Sequence, residues 1–162
     1  MFDHIGGINT LLHILLNKGT VVSLKNRSVE NVLNTCKNFS IELLPTTPTF
    51  LRLLSLIPNL EKTFPKSIRI ISYGTERLDQ PTLTNLSEKL PNVDFRQTYG
   101  MSELGILRVK SFKRDSLFMK IGGEGVETKI IDKLLYIKAE NRMIGYLNAP
   151  SPFDKEGWYC TK

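Results

Sequence analysis

Five consecutive residues, Tyr99-Gly100-Met101-Ser102-Glu103, set an aromatic ring, a glycine, a hydroxyl and a carboxylate side by side. Each type has a use at a nucleotide site. A flat ring offers a face to a base, and a glycine lets backbone come close to a ligand. A hydroxyl donates to a phosphate oxygen, and a carboxylate holds Mg2+. The stretch follows the apolar-alternating run Val93 to Gln97 and precedes a second run, Leu104 to Val109, so it reads as a tight connection between two strands. An ordinary turn can have the same composition. Two other places carry comparable residues: Tyr73-Gly74-Thr75-Glu76-Arg77-Leu78, and His4 with Gly6 and Gly7 beside it.

The elements that must position these residues follow from periodicity. Ile8, Leu11, Leu12 and Leu15 give Ile5 to Leu16 a helical spacing, closed by Asn17-Lys18-Gly19. Thr20 to Leu24 reads as a short buried strand. Ser28 caps a second helix to Asn38, with Val29, Val32, Leu33 and Cys36 on its apolar face. Ile41 to Leu44 is the next strand, and Pro45-Thr46-Thr47-Pro48 leads to a helix over Thr49 to Leu56. A loop, Pro58 to Lys66, precedes the strand Ser67 to Ser72. A helix from Gln80 to Leu90 and the strand Val93 to Gln97 follow. Helices alternating with strands imply an α/β fold with a mostly parallel sheet and packed helices, whose ligands gather at the carboxyl ends of the strands. Both Gly74 to Leu78 and Tyr99 to Glu103 fall at such ends.

After Glu103 the texture changes to short strands at Leu107 to Phe112, Leu117 to Ile121, Glu127 to Ile131 and Leu134 to Ala139. These form a small antiparallel β subdomain, giving expected units of 1–105 and 106–162. Gly122-Gly123-Glu124-Gly125 is not followed by a helical pattern, so it reads as a hairpin or bulge rather than a phosphate loop.

The chain has 162 residues, 41% of them hydrophobic and 23% charged, with a net charge of +6. That suits one globular domain. No apolar run approaches the roughly 18–20 residues of a membrane span, and no leader precedes the first helix, so the expected location is the cytoplasm. Cys36 and Cys160 lie far apart without metal-type spacing, which argues against a disulfide framework. The basic residues are scattered, the densest cluster being Lys110, Lys113 and Arg114, and they do not alternate with aromatics as a nucleic-acid platform would. A solvated basic surface that favours a phosphate-bearing small ligand is the reading, with nucleic-acid binding resting on charge alone.

Four blocks in order resemble the adenylate-forming superfamily, which comprises acyl- and aryl-CoA synthetases, luciferases and the adenylation domains of peptide synthetases. They are Phe2-x-His4-x-x-Gly7, Ser72-x-Gly74-Thr75-Glu76-Arg77-Leu78, Tyr99-Gly100-Met101-Ser102-Glu103, and Met143-x-Gly145-Tyr146 with Gly157-Trp158-x-x-Thr161. The resemblance implies that ATP and a small carboxylic acid form an acyl-adenylate and pyrophosphate. A thiol of CoA, or of a carrier protein's phosphopantetheine, then takes the acyl group. It implies that Tyr99 stacks on adenine beside Gly100, with the Gly74-Thr75-Glu76 backbone on the other side of the base. It also implies that Ser102 bonds the α-phosphate, Glu103 ligates Mg2+ and His4 sits near the reacting carboxylate. Thr46, Thr47, Phe50 and Leu51, with residues around Tyr73 and Met101, would line the acid pocket. His13 reads as structural or exposed, Trp158 as a packing residue, and Asp132 carries no chemistry. Glu76 could instead pair with Arg77 or Lys89.

The sequence departs from that pattern in three respects. No T-S-G-T-T-G-x-P-K loop precedes His4, the family's ribose-gripping aspartate would stand one residue beyond Lys162, and Lys162 stands where glycine is usual. The expectation is an internal piece of a larger enzyme, inactive alone. The Phe-x-His opening favours a CoA ligase over a peptide-synthetase-type adenylation domain. A non-catalytic binding domain that keeps the fold is the remaining alternative.

Overall fold

The computed structural model describes residues 4–161; Phe2 and Lys162, which figure in the motifs above, lie outside them. Helix α1 (Ile5–Leu16) ends as expected at Asn17. The left-handed residue there is Lys18 (φ 58°), and the Gly19 N–H then donates to the Ile14 carbonyl at 2.8 Å. The run Thr20 to Leu24 forms no strand: Val21 is 40% exposed, and only Leu24 of the run packs against the core. Its β-branched residues suit a pleated surface, but no neighbouring strand completes one.

Helix α2 (Val29–Asn38) begins where Ser28 Oγ accepts from the Asn31 N–H at 3.3 Å, and it buries Val32 and Cys36. Strand β1 (Leu43–Thr46) leads to α3 (Pro48–Ser55), capped by Thr47 Oγ1 accepting from the Phe50 N–H at 3.2 Å. The stretch expected to be a loop contains a one-turn helix, α4 (Leu60–Thr63), nucleated on the fully buried Leu60. Strand β2 (Ile70–Tyr73), helix α5 (Gln80–Lys89) and strand β3 (Asp94–Gln97) complete the first part. The sheet therefore has three parallel strands, in the order β1-β2-β3. Its core is built from Ile71, Tyr73 and Phe95 of the sheet, Leu51 and Leu54 of α3, and Leu83 and Leu86 of α5.

The remainder is antiparallel. β4 (Tyr99–Met101) pairs with β5 (Gly105–Leu107), and β6 (Val109–Ser111) with β7 (Met119–Ile121). β8 (Val126–Ile131), β9 (Leu134–Ala139) and β10 (Tyr159–Thr161) form a third sheet, ordered β10-β9-β8. A second apolar cluster, Leu104, Leu107, Ile137 and Ala139, lies beneath Tyr99, Met101 and Tyr159. Gly122 to Gly125 joins β7 to β8, whose partners are β6 and β9, so no hairpin forms there. A two-residue hairpin joins β8 to β9 at Asp132-Lys133, both at positive φ (50° and 66°), as a primed turn demands. Among the described residues no helix is long and apolar enough to cross a membrane, and Cys36 and Cys160 are free thiols.

Arg114 departs from the solvated basic surface expected of it. Its guanidinium donates to the carbonyls of Ser87 at 3.0 Å, Leu90 at 3.0 Å and Pro91 at 2.6 Å. These groups, at the C-terminal end of α5, lack helical partners, and a cation there also meets the favourable end of the helix dipole. Replacing Arg114 by Met keeps the aliphatic stem and removes the three bonds. Urea unfolding is expected to show a loss of about 1–3 kcal/mol with an unchanged m-value, the scale of hydrogen bonds to a charged group. An unchanged midpoint would show that the clasp contributes nothing.

Candidate functional site

The three parallel strands end level at Thr46, Tyr73 and Gln97. One residue further on, the chain leaving β2 meets the chain leaving β3. The Thr98 N–H donates to the Tyr73 carbonyl at 2.7 Å, and Thr98 Oγ1 donates to the same oxygen at 3.1 Å. A Cβ on Gly74 would strike Thr98 Oγ1 and lie 2.9 Å from its carbonyl oxygen, so only glycine fits. The next residue, Thr75, is forced to φ 73°, a left-handed conformation that a β-branched residue rarely adopts. Thr75, Glu76 and Arg77 are exposed at this edge.

Arg52 of α3 holds the strained loop. It approaches Glu76 Oε2 at 3.6 Å, donates from Nε to Asp79 Oδ2 at 3.1 Å, and donates from Nη2 to the Arg77 carbonyl at 2.5 Å. Thr49 Oγ1 donates to Glu76 Oε2 at 2.7 Å. Glu76 is thus paired with α3 and not with the expected Arg77 or Lys89; the Lys89 ammonium donates to the Ser55 carbonyl at 3.4 Å. Asp79 also caps α5 by accepting from the Thr82 N–H at 2.9 Å. Its bonds from Thr82, and secondarily from Arg52, hold the carboxyl at about 2. Each exposed ion pair is modest alone. Together they tie both ends of the loop to one guanidinium.

On the other side, Tyr99 to Met101 is a strand and not the loop expected. Its three residues pair with Leu107, Ile106 and Gly105. Gly100 has a reason within the chain, since a Cβ there would lie 2.5 Å from the Gly105 carbonyl and 2.8 Å from Ile106 Cα. Tyr99 is half-buried against the second cluster, and burial pushes its phenol up. Ser102 and Glu103 form the turn of the ribbon, with Ser102 exposed. Glu103 is fixed twice: its carbonyl accepts from the Met143 N–H at 2.9 Å, and its Oε1 accepts from the Tyr146 hydroxyl at 2.5 Å. That bond pushes the Tyr146 phenol up to about 12. Sequence reasoning gave Tyr146 no role, although it lies in one of the four quoted blocks.

The donor set fits a magnesium ion of a particular kind. Among the described residues no cluster of three His, Cys, Asp or Glu could hold a metal by itself. A lone carboxylate beside a hydroxyl, as Glu103 is beside Ser102, suits Mg2+ that takes its remaining ligands from phosphate and water.

His4 is the N-cap of α1, its Nδ1 accepting from the N–H groups of Gly6 at 3.1 Å and Gly7 at 3.4 Å. The cap takes up Nδ1, and α1 itself lies against β5. Of the expected pocket residues, Leu51 and Tyr73 are 0% and 2% exposed and belong to the core. Thr46, Phe50 and Met101 are half-buried and Thr47 is exposed. His13 is exposed as expected. Trp158 is more than packing, because the Lys129 ammonium sits 3.9 Å above its ring.

The sequence profile of a family described as AMP-binding enzyme matches residues 2–147. A 4-coumarate–CoA ligase of Glycine max is 26% identical over 89% of this chain and 57% of its own length. One of Narcissus pseudonarcissus is 26% identical over 98% of this chain and 33% of its own. The chain thus spans well under two thirds of either relative. In fold it is similar to the o-succinylbenzoate CoA synthetase of Bacillus subtilis, with a TM-score of 0.75 and 22% identity over 99% of this chain and 36% of that one. It is also similar to the anthranilate CoA ligase AuaEII in complex with anthranoyl-AMP, with a TM-score of 0.74 and 18% identity over 88% and 31%.

Two measurements test the geometry. Asp79, depressed to about 2 from an ordinary value of roughly 3.9, contributes stability above that ordinary value and loses it as pH falls through about 2. The difference in thermal midpoint between wild type and Asp79→Ala should therefore be constant from neutrality to about pH 5 and shrink between about pH 4 and 2. A difference that persists below pH 2 contradicts the assignment. For the second pair, Glu103→Gln should return the Tyr146 phenol from about 12 toward the ordinary tyrosine range, read by NMR of ring-labelled tyrosine. A Tyr146 titration indifferent to Glu103→Gln would break the pair.

Proposed function

The chain belongs to the AMP-binding enzyme family, and on that premise we propose that it forms the nucleotide-facing edge of an ATP-dependent, AMP-forming acid–thiol ligase. The observation that carries this reading is the meeting of the two chains that leave β2 and β3, at Gly74 and Thr98, at the carboxyl edge of one parallel sheet, immediately before Thr75-Glu76 and Tyr99 to Glu103. The adenine of ATP stacks on Tyr99 beside Gly100 and lies along the backbone of Gly74, Thr75 and Glu76. Ser102 would donate to the α-phosphate, and Glu103 would hold Mg2+, which would supply charge neutralisation to the phosphates. His4 stands by the substrate acid.

The chemistry is displacement at phosphorus. A carboxylate oxygen attacks the α-phosphorus, pyrophosphate leaves, and the acyl-adenylate results. A thiol then displaces AMP and the thioester forms. The residues act through positioning and electrostatics, with no nucleophile of their own. Tyr146 orients the Glu103 carboxylate from behind. Phe50 and Met101, both half-buried, favour an aliphatic or aromatic acid. The acceptor is CoA, with a carrier-protein thiol as the alternative. Residues 1–105 carry the nucleotide edge and 106–162 the β-rich support. Because the 162 residues contain no T-S-G-T-T-G-x-P-K loop, they alone hold ATP weakly and turn over no substrate.

Pyrophosphate release by the protein in its full reading frame, against a panel of carboxylic acids, tests the reading. Release should depend on one acid class and fall on the order of 10²-fold in Glu103→Ala, the scale of removing one charge-stabilising group. No release with any acid while ATP still binds would favour the non-catalytic domain instead, and acid-independent ATP hydrolysis would overturn the ligase reading.

A further inference from the structure

Arg108, Lys110, Phe112, Phe118 and Lys120 share one face of the β6–β7 ribbon. The pairing dictates this, since Lys110 stands directly opposite Lys120. The same register continues at both ends, where the Gly122 N–H donates to the Arg108 carbonyl at 3.1 Å and the Phe112 N–H to the Phe118 carbonyl at 3.0 Å. Alternation sends Val109, Ser111, Met119 and Ile121 to the opposite face, where all four are half-buried. On the outer face Phe112 is 80% exposed and Phe118 81%, and the three cations are exposed as well.

Two features of this face are unfavourable in water. Like charges directly across a strand pair destabilise it, and nothing compensates here: none of the ion pairs among the described residues involves Arg108, Lys110 or Lys120. Two large aromatic rings opposite each other also form an apolar patch rimmed by cations, the pattern of an interaction surface rather than of scattered exposed residues.

We infer that this face docks on an anionic lipid bilayer, the two phenyl rings entering the interface while Arg108, Lys110 and Lys120 meet acidic headgroups. The charge selects an anionic partner. The rings select a fluid apolar one, because both project into solvent and a bilayer receives them without a shaped pocket. Lys113, exposed at the tip, adds a further cation, whereas Arg114 is turned inward to α5. With two rings and a few cations the attachment is weak and reversible. It does not depend on the ligase chemistry.

Co-sedimentation of the full chain with phosphatidylcholine vesicles containing about 30% phosphatidylserine, against pure phosphatidylcholine vesicles, is the test. Retention should appear only with phosphatidylserine and fall at high salt. It should drop about five-fold for each of Lys110→Gln and Lys120→Gln, and at least about ten-fold in the double variant Phe112→Ser, Phe118→Ser. All four side chains are solvent-facing, and circular dichroism checks that the variants remain folded. Phe112→Trp reports insertion directly, its emission shifting blue on anionic vesicles relative to wild type. The inference is overturned by no retention on either vesicle, by equal retention on both, by retention indifferent to the phenylalanines, or by equal capture on polyglutamate.

Discussion

Two backbones approach each other at Gly74 and Thr98, and the candidate site is arranged around that crossing. With the Tyr73 carbonyl accepting twice from Thr98, the β2–β3 ladder runs one step past the sheet and brings the two departing chains together. From there the first chain turns through the left-handed Thr75 toward α3, and the second turns away into β4. A side chain at Gly74 would push them apart. The strain at Thr75 persists because Arg52 and its partners over-determine the loop's path. At Gly100 a glycine again answers to the chain's own packing, so both glycines of the expected nucleotide site first serve the scaffold that presents it.

The parts of this fold that were legible in the sequence are those decided by local chemistry. Ser28 before an apolar 3.6-residue period defines α2 within a residue, and the prolines at 48 and 81 mark the first turns of α3 and α5. The alternation of helix and strand gives the parallel sheet. Elsewhere local pattern misleads. Thr20 to Leu24 has strand composition but no neighbour to pair with, and β4, which falls in the stretch expected to be a connection, has three residues, too short for alternation to be read. Leu60 anchors a helical turn where composition indicated only a loop, because tertiary burial overrides propensity.

At the site, residue identity was legible and partnership was not. Glu103, Ser102 and Tyr99 stand in one short stretch, but the hydroxyl that holds Glu103 comes from Tyr146, 43 residues away. Arg52 meets Asp79 across 27 residues. No periodicity announces such contacts, since they depend on how α3 and the segment after β9 come to rest. The same holds for the basic residues, whose composition reads as a uniform cationic surface. The structure separates them into Arg114, committed to helix carbonyls, and Lys110 and Lys120, held face to face on an open ribbon.

The Arg114 clasp also bears on the order in which the chain folds. β8 and β9 are joined by two residues and can zip within microseconds of meeting, whereas β1, β2 and β3 must each wait for an intervening helix. The last turn of α5 waits longer still. The Leu90 carbonyl has a local donor in the Val93 N–H, but the Ser87 and Pro91 carbonyls meet the Arg114 guanidinium only when a residue 23 to 27 positions downstream arrives. During synthesis, then, the Ser87 and Pro91 carbonyls stay open to water until the loop between β6 and β7 emerges to supply Arg114.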